Sequence, residues 1–88
     1  MTVKILKFGA SWCGACTRAE KHLERKGSEY PVKFESIDVD QNEELTIQYN
    51  IRSIPTFIAV KPNGDVVQVL QGFDIKKLEQ FIEEVRCR

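Results

Sequence analysis

The chain has 88 residues, of which 42% are hydrophobic and 30% are charged, and its thirteen basic residues are balanced by thirteen acidic ones. This length predicts one domain over residues 1–88 with a modest core. A formal net charge of zero gives no reason to expect nucleic acid or a membrane as partner, and no apolar run approaches the ~20 residues of a membrane span.

The first half of the chain predicts a strand, a helix and a second strand. Val3 to Phe8 has few polar interruptions, which is typical of a central strand. An apolar residue at every fourth position predicts a helix from about Gly14 to Lys26. These apolar residues are Ala15, Ala19 and Leu23. Gly27 then serves as a C-terminal stop with positive φ, and Val32 to Val39 is β-branched and aromatic enough for a strand.

The second half predicts a short helix, a hairpin and a final helix. Asn42 is a candidate N-cap for a helix through Tyr49. Two strands, Thr56 to Val60 and Val66 to Leu70, flank a strong turn signal at Pro62 to Asp65. Asp74 is expected to cap a last helix whose apolar residues follow the helical period. These apolar residues are Ile75, Leu78, Phe81, Ile82 and Val85.

The predicted order is β-α-β-α-β-β-α, which indicates an α/β fold. The first two strands are joined through a helix and should therefore be parallel, whereas the last two form an antiparallel hairpin. We expect a mixed four-stranded sheet with helices on both faces.

Cysteine usage and the N-terminal segment bear on the compartment. Met1 to Phe8 alternates lysines with apolar residues and lacks the apolar block of a signal peptide, so we expect a cytoplasmic protein unless a leader was removed. Three cysteines are too few, and odd in number, for a disulfide-stapled secreted domain. Cys13 and Cys16 are three positions apart, and in a reducing compartment this spacing indicates redox chemistry or metal binding.

The run from Trp12 to Cys16 lies where the first predicted strand ends and a helix begins. A helix N-terminus favours negative charge, so a cysteine there has a lowered pKa and is more often a thiolate. We therefore expect Cys13 to attack a substrate disulfide and Cys16, one turn further in, to resolve the mixed disulfide. Trp12 has two interpretations, a core aromatic or a half-exposed ring beside the site, and we favour the second.

Two other interpretations of the cysteine pair remain open. A zinc site needs four converging ligands, and the remaining candidates are His22, on roughly the opposite face of the helix, and Cys87, near the C-terminus. A purely structural disulfide would contribute little because the loop it closes is short. Cys87 itself is expected to be an exposed thiol, with a regulatory or intermolecular disulfide as the alternative.

The run from Phe8 to Cys16, the Ile54-Pro55-Thr56 segment, the Asn63-Gly64 turn and Gly72 resemble the thioredoxin family in order and spacing. The resemblance covers nearly the whole chain and begins at the strand before the cysteines, without the N-terminal strand and helix of ordinary thioredoxins. It implies that Pro55 is a cis proline beside the disulfide, that Ile54 contacts an extended substrate, and that Gly72 lets the substrate approach. Gly14 and Ala15 complete the substrate-facing motif.

Two positions depart from the family pattern. Ala15 replaces the proline usual between the cysteines, which should change the reduction potential. Lys7 replaces a buried aspartate that helps to move the proton of the resolving cysteine, and the lysine partner of that aspartate aligns near Ser36. The proton is then expected to move through water or Lys7. The alternative, which we favour, is that Lys7 reaches solvent and has no catalytic role.

The resemblance implies a thiol–disulfide oxidoreductase and electron carrier with no bound cofactor. Its implied partners are a flavoprotein thioredoxin reductase, which supplies electrons from NADPH, and disulfide-containing proteins such as ribonucleotide reductase. We expect a monomer. One alternative is a glutaredoxin-like protein reduced by glutathione, although glutaredoxins usually have a proline and an aromatic residue between the cysteines and lack Trp12. Another is a redox-independent binding subunit, which the intact cysteine pair disfavours.

Overall fold

The computed structural model describes residues 3–86, so the expectation for Cys87 lies outside the described residues. The four strands within these residues are β1 (Lys4–Gly9), β2 (Lys33–Asp38), β3 (Thr56–Val60) and β4 (Val66–Gln71). The three α-helices in the described part of the chain are α1 (Gly14–Lys26), α2 (Glu43–Gln48) and α3 (Ile75–Arg86), and a short 3₁₀ turn at Gly27–Glu29 follows α1. The predicted element order is therefore confirmed.

The strands form one mixed sheet in the order β2-β1-β3-β4. β1 is parallel to β2, with Lys7 opposite Ser36, and antiparallel to β3. β3 and β4 form the antiparallel hairpin, in which the Gly64 N–H donates to the Lys61 carbonyl at 2.8 Å. The predicted parallel first pair and C-terminal hairpin are both confirmed.

The core divides into two clusters, one on each face of the sheet. Ile5 and Phe57 face α1 and α3 and pack in one cluster with Ala19, Leu78 and Val85. On the other face, α2 covers a second cluster. Its members from the sheet are Leu6, Phe8, Ile37, Ile58 and Val60. Helices therefore lie on both faces, and because alternate strand residues point to opposite faces, Lys7 is on the α1 side with Ile5.

The prediction for Gly27 is wrong in its geometry. Gly27 has φ −57° and ψ −39°, which is right-handed helical backbone, and its N–H donates to the carbonyl of Leu23. The chain therefore continues directly into the 3₁₀ turn rather than reversing through a left-handed residue. Positive φ occurs instead at Asn50, Gly64 and Gly72.

The two predicted N-caps behave differently. Asp74 Oδ1 accepts a hydrogen bond from the Lys77 N–H at 3.1 Å, as a capping side chain does. Asn42 occupies the N-cap position of α2, but its side chain does not cap that helix, so this part of the prediction is wrong. Its Nδ2 instead donates to the Asp38 carbonyl at 3.0 Å, and this bond ties the loop back to the end of β2.

No helix within residues 3–86 has both the length and the apolar character needed to cross a membrane.

Candidate active site

Cys13 is the N-cap residue of α1, at the junction with β1 where the sequence predicts it. Its backbone is extended, with φ −95° and ψ 114°, and its sulfur accepts a hydrogen bond from the Cys16 N–H at 3.1 Å. A sulfur in this position receives both a free helix N–H and the positive end of the helix dipole. The first turn of α1 contains no acidic residue that would oppose a thiolate.

Cys13 and Cys16 are joined by a disulfide, with their Cα atoms 5.2 Å apart. The two cysteines differ in accessibility, since Cys16 is only 2% exposed while Cys13 is partly exposed. Of the residues between them, Gly14 is exposed and Ala15 is half-buried. An incoming sulfur can therefore reach Cys13 more readily than Cys16.

The Ile54–Pro55 peptide bond is cis, as the resemblance implied, and Pro55 is fully buried. The Ile54 carbonyl oxygen is 3.9 Å from the Cys13 sulfur, which brings this segment beside the disulfide. The Gly72 N–H donates to the Pro55 carbonyl at 2.8 Å. Gly72 has φ +86°, and a Cβ there would meet nothing within 4 Å, so its backbone conformation rather than crowding favours glycine.

Trp12 is 70% exposed, so the interpretation as a core aromatic is wrong and the ring is more open than the predicted half-exposure. Its Nε1–H donates to Asp40 Oδ2 at 2.8 Å. Asp40 lies in the turn after β2, where its own N–H donates to Asp38 Oδ1 at 2.9 Å. The ring is therefore held beside Cys13 by a hydrogen bond that the sequence did not reveal.

Lys7 does not reach solvent, and the interpretation that we favoured is wrong on this point. Its side chain is 4% exposed, and its Nζ is 2.5 Å from Oε1 of Glu20 on α1. Ser36 on β2 donates its hydroxyl to the same Glu20 oxygen at 2.7 Å. An acid is thus present after all, supplied by the helix, and it compensates the buried ammonium group.

Glu20 was missed in the sequence although one signal was present. Glu20 follows Cys16 by four residues on α1, so the two share a helix face. Burial by itself raises the pKa of Glu20, but hydrogen bonds from Lys7 and Ser36 and the attraction of the Lys7 charge together hold it below its usual 4.5. Glu20 is therefore a carboxylate at neutral pH.

An open cavity of about 400 Å³ connects these groups to Cys16. Its lining includes Lys7, Gly9, Cys16, Glu20 and Ser36. A Cβ built on Gly9 would be 3.1 Å from the Cys16 sulfur and 3.3 Å from Lys7 Nζ. Cys16 Sγ and Lys7 Nζ therefore both lie next to the position that a Gly9 side chain would occupy, and the sum of these two distances is the upper limit of their separation.

Comparison with known proteins identifies the family to which this site belongs. The family model described as Thioredoxin matches residues 2–84. The chain belongs to the thioredoxin family. Thioredoxin-1 of Drosophila melanogaster is 47% identical over 84 residues, which are 92% of this chain and 77% of that protein. The recognition drawn from the cysteine motif and the Ile54-Pro55-Thr56 segment is confirmed.

The thioredoxin fold is confirmed by solved structures. The X-ray structure of Fasciola hepatica thioredoxin has a TM-score of 0.86 and 34% identity, and the match covers 94% of this chain and 80% of that one. Thioredoxin-T of Drosophila melanogaster is 34% identical over 82 residues. That match covers 91% of this chain and 52% of that relative, so the chain spans about half of the relative's length.

His22, the candidate for a metal ligand, lies apart from the thioredoxin motif. It is buried, its Nε2 is 2.7 Å from the Tyr30 hydroxyl, and that hydroxyl donates to Glu79 Oε2 at 2.8 Å. Burial first, and then the hydrogen bond and charge of Glu79, raise the pKa of Tyr30 to about 12. Across residues 3–86, His, Cys, Asp and Glu side chains form no group of three or more suited to a metal ion.

Proposed function

We propose that this chain reduces protein disulfides through the dithiol of Cys13 and Cys16. The observation that carries the proposal is the position of Cys13, whose sulfur caps α1 and accepts the Cys16 N–H. This environment lowers the pKa of a thiol and makes it nucleophilic at neutral pH. Membership of the thioredoxin family supports the same reaction class.

The reaction begins when the Cys13 thiolate attacks one sulfur of a substrate disulfide. The substrate S–S bond breaks, a mixed disulfide forms, and the first substrate sulfur leaves as a thiolate that takes a proton from water. Cys16 then loses its proton and attacks the Cys13 sulfur. The Cys13–Cys16 disulfide forms, the second substrate sulfur leaves, and two electrons have passed to the substrate.

The surface beside Cys13 is the proposed substrate-binding region. Ile54 offers backbone groups next to the Cys13 sulfur, and an extended peptide can pair with such groups as an added strand. Trp12, the residue before Cys13, supplies an exposed aromatic ring. Gly72 and Pro55 are joined by a backbone hydrogen bond, which holds the segment in place.

The oxidised chain needs an external reductant. We propose a flavoprotein thioredoxin reductase that takes electrons from NADPH, with ribonucleotide reductase as a candidate substrate, in a reducing compartment such as the cytoplasm. Trp12 before the first cysteine and Gly14-Ala15 between the cysteines favour this reductant over glutathione.

The test is reduction of insulin disulfides, followed as the rate of precipitation. One arm supplies NADPH with thioredoxin reductase, and the other supplies NADPH with glutathione and glutathione reductase. We expect turnover in the first arm and its loss in Cys13→Ser. Turnover with glutathione alone would support a glutaredoxin-like function, and no turnover with any reductant would refute the proposed activity.

A further inference from the structure

The charges around Cys16 are arranged unevenly. Among residues 3–86, Lys7 is the only basic residue that lines the cavity behind Cys16. The acidic residues that line it are Glu20 and Glu24 from α1 and Asp38 from β2. Lys7 Nζ and the Cys16 sulfur both approach Gly9, so the nearest full positive charge to this sulfur within the cavity belongs to Lys7.

The opposite charges of Lys7 and Glu20 do not cancel each other at Cys16. The Lys7 side chain is 4% exposed, whereas the Glu20 side chain is 43% exposed. Water and salt screen an exposed charge much more effectively than a buried one. The buried Cys16 sulfur, which like Lys7 Nζ lies close to Gly9, is therefore expected to experience mainly the ammonium group, because the carboxylate charge is partly screened.

We propose that the ammonium group of Lys7, held in place by Glu20, stabilises the thiolate of Cys16 in the step that resolves the mixed disulfide. The inference rests on the proposed disulfide-reductase function. It adds the positive charge that stabilises the Cys16 thiolate in the second step of that reaction. Lys7 acts on Cys16 through space, and Glu20 and Ser36 are positioning residues that fix the lysine head group and its partner.

The proton and electrons of this step balance without a carboxylate base. The Cys16 S–H bond breaks and its proton passes to water in the open cavity. The resulting thiolate electron pair forms the bond to the Cys13 sulfur, and the bond between Cys13 and the substrate breaks, releasing a substrate thiolate that takes up a proton. Glu20 is a poor proton acceptor because its carboxylate is already stabilised by Lys7 and Ser36.

The experiment measures the ionisation of Cys16 directly. In a Cys13→Ser/Cys87→Ser background Cys16 is the only thiol, and Cys13 carries no charge, as in the mixed disulfide. Carbon-13 NMR of labelled cysteine then gives the thiolate fraction as pH varies. We expect Lys7→Met to lower that fraction at neutral pH about tenfold, and Lys7→Arg to restore it, because an opposite charge at this range favours the thiolate.

A second pair of variants separates the charge of Lys7 from a proton-accepting role of Glu20, and it also decides the matter if Lys7→Met does not fold. Arginine stays charged without its partner, so Lys7→Arg is compared with Lys7→Arg/Glu20→Gln. In the Cys13→Ser/Cys87→Ser background we expect the double variant to keep or raise the thiolate fraction. With Cys13 present, we expect it to resolve mixed disulfides at least as fast as Lys7→Arg.

Three results would overturn the proposal. They are an unchanged thiolate fraction in Lys7→Met, equal losses in Lys7→Met and Lys7→Arg, and slower resolution in Lys7→Arg/Glu20→Gln than in Lys7→Arg. The NMR measurement needs no turnover, so its failure leaves the proposed disulfide reduction intact. That function fails only if the unsubstituted chain does not reduce disulfides.

Discussion

Lys7 of β1 and Glu20 of α1 form an ion pair at the back of the cysteine motif, one helical turn from Cys16. The pair also links the central strand to the helix that carries both cysteines. Ser36 donates to the same carboxylate, so β2 joins the link. The stability of the site and its chemistry therefore depend on the same few side chains.

The pH dependence of stability should reveal the Glu20 carboxylate. Its pKa is lower in the folded chain than the usual 4.5, so the unfolded chain binds the proton more readily. The contribution of the Glu20 carboxylate to stability is fully present above pH 4.5, and it is lost as pH falls through the pKa of Glu20 in the folded chain. We expect the free energy of unfolding, measured with urea from neutral pH to about pH 3, to fall less steeply in Glu20→Gln.

Glu24→Gln is the matched control for this measurement, since Glu24 lies on the same helix and lines the same cavity. Its substitution should leave the acid-dependent loss of stability in place. Identical pH profiles for Glu20→Gln and the unsubstituted chain would contradict the account of the ion pair.

Gly9 is the point where a methyl group should cost the most. A Cβ there would lie 3.1 Å from the Cys16 sulfur and 3.2 Å from its Cβ, and the latter is fixed to the backbone of α1. We expect Gly9→Ala to lower the free energy of unfolding by about 1–3 kcal/mol, the usual cost of overpacking. A loss of less than about 0.5 kcal/mol in urea titrations would show that the contact relaxes freely.

Gly27→Ala should have the opposite effect and tests the corrected geometry of the helix end. Gly27 has helical backbone angles, and a Cβ there would be 3.7 Å from Leu23 Cβ, an ordinary contact. Alanine is then expected to stabilise the chain by about 0.4–1 kcal/mol, because it restricts the unfolded state. Destabilisation on thermal or urea unfolding would instead support the positive φ predicted from the sequence.

The hydroxyl of Tyr30 joins α1 to α3 and should matter at high pH. Its pKa is raised from 10.0 to about 12 in the folded chain, so the folded chain holds this proton more tightly. The contribution of the protonated Tyr30 hydroxyl to stability is present below pH 10.0 and is lost as pH rises toward about 12. Tyr30→Phe should cost about 1–2 kcal/mol at neutral pH, because the buried His22 nitrogen loses its partner, and should reduce the alkaline loss of stability.

Tyr49→Phe is the control, since Tyr49 lies on the other face of the sheet in the cluster covered by α2. Tyr49→Phe should lose stability at high pH as the unsubstituted chain does, and should therefore differ from Tyr30→Phe in the same way. Equal alkaline profiles for Tyr30→Phe and the unsubstituted chain would contradict the assigned network.

Much of the fold follows from local patterns in the sequence. The apolar run of β1 and the turn residues around Gly64 report on short-range preferences, and the structure agrees with both. The placement of Cys13 at a helix start is also local, which explains why the thiol pair could be located from the sequence.

The parts that could not be predicted depend on contacts between elements. Lys7 is two residues after Ile5 in β1, so the sequence predicts that both side chains lie on the same face of the sheet. Its partner Glu20 could be predicted only by knowing which helix covers that face. The hydrogen bond from Trp12 to Asp40 joins residues 28 positions apart in separate loops. Gly27 follows the last residue of α1, as predicted, but its positive φ was wrongly predicted because glycine permits positive φ without requiring it.

The most direct test of the central claim is to trap the first intermediate. Cys16→Ser/Cys87→Ser retains Cys13 as the only thiol, and without Cys16 the mixed disulfide cannot be resolved. Incubated with a disulfide-containing protein and analysed by intact-mass and peptide mass spectrometry, this variant should form a stable mixed disulfide on Cys13. The matched Cys13→Ser/Cys87→Ser variant should react far more slowly, because its thiol is 2% exposed. Equal trapping by both variants, or none on Cys13, would contradict the assignment of Cys13 as the attacking thiol.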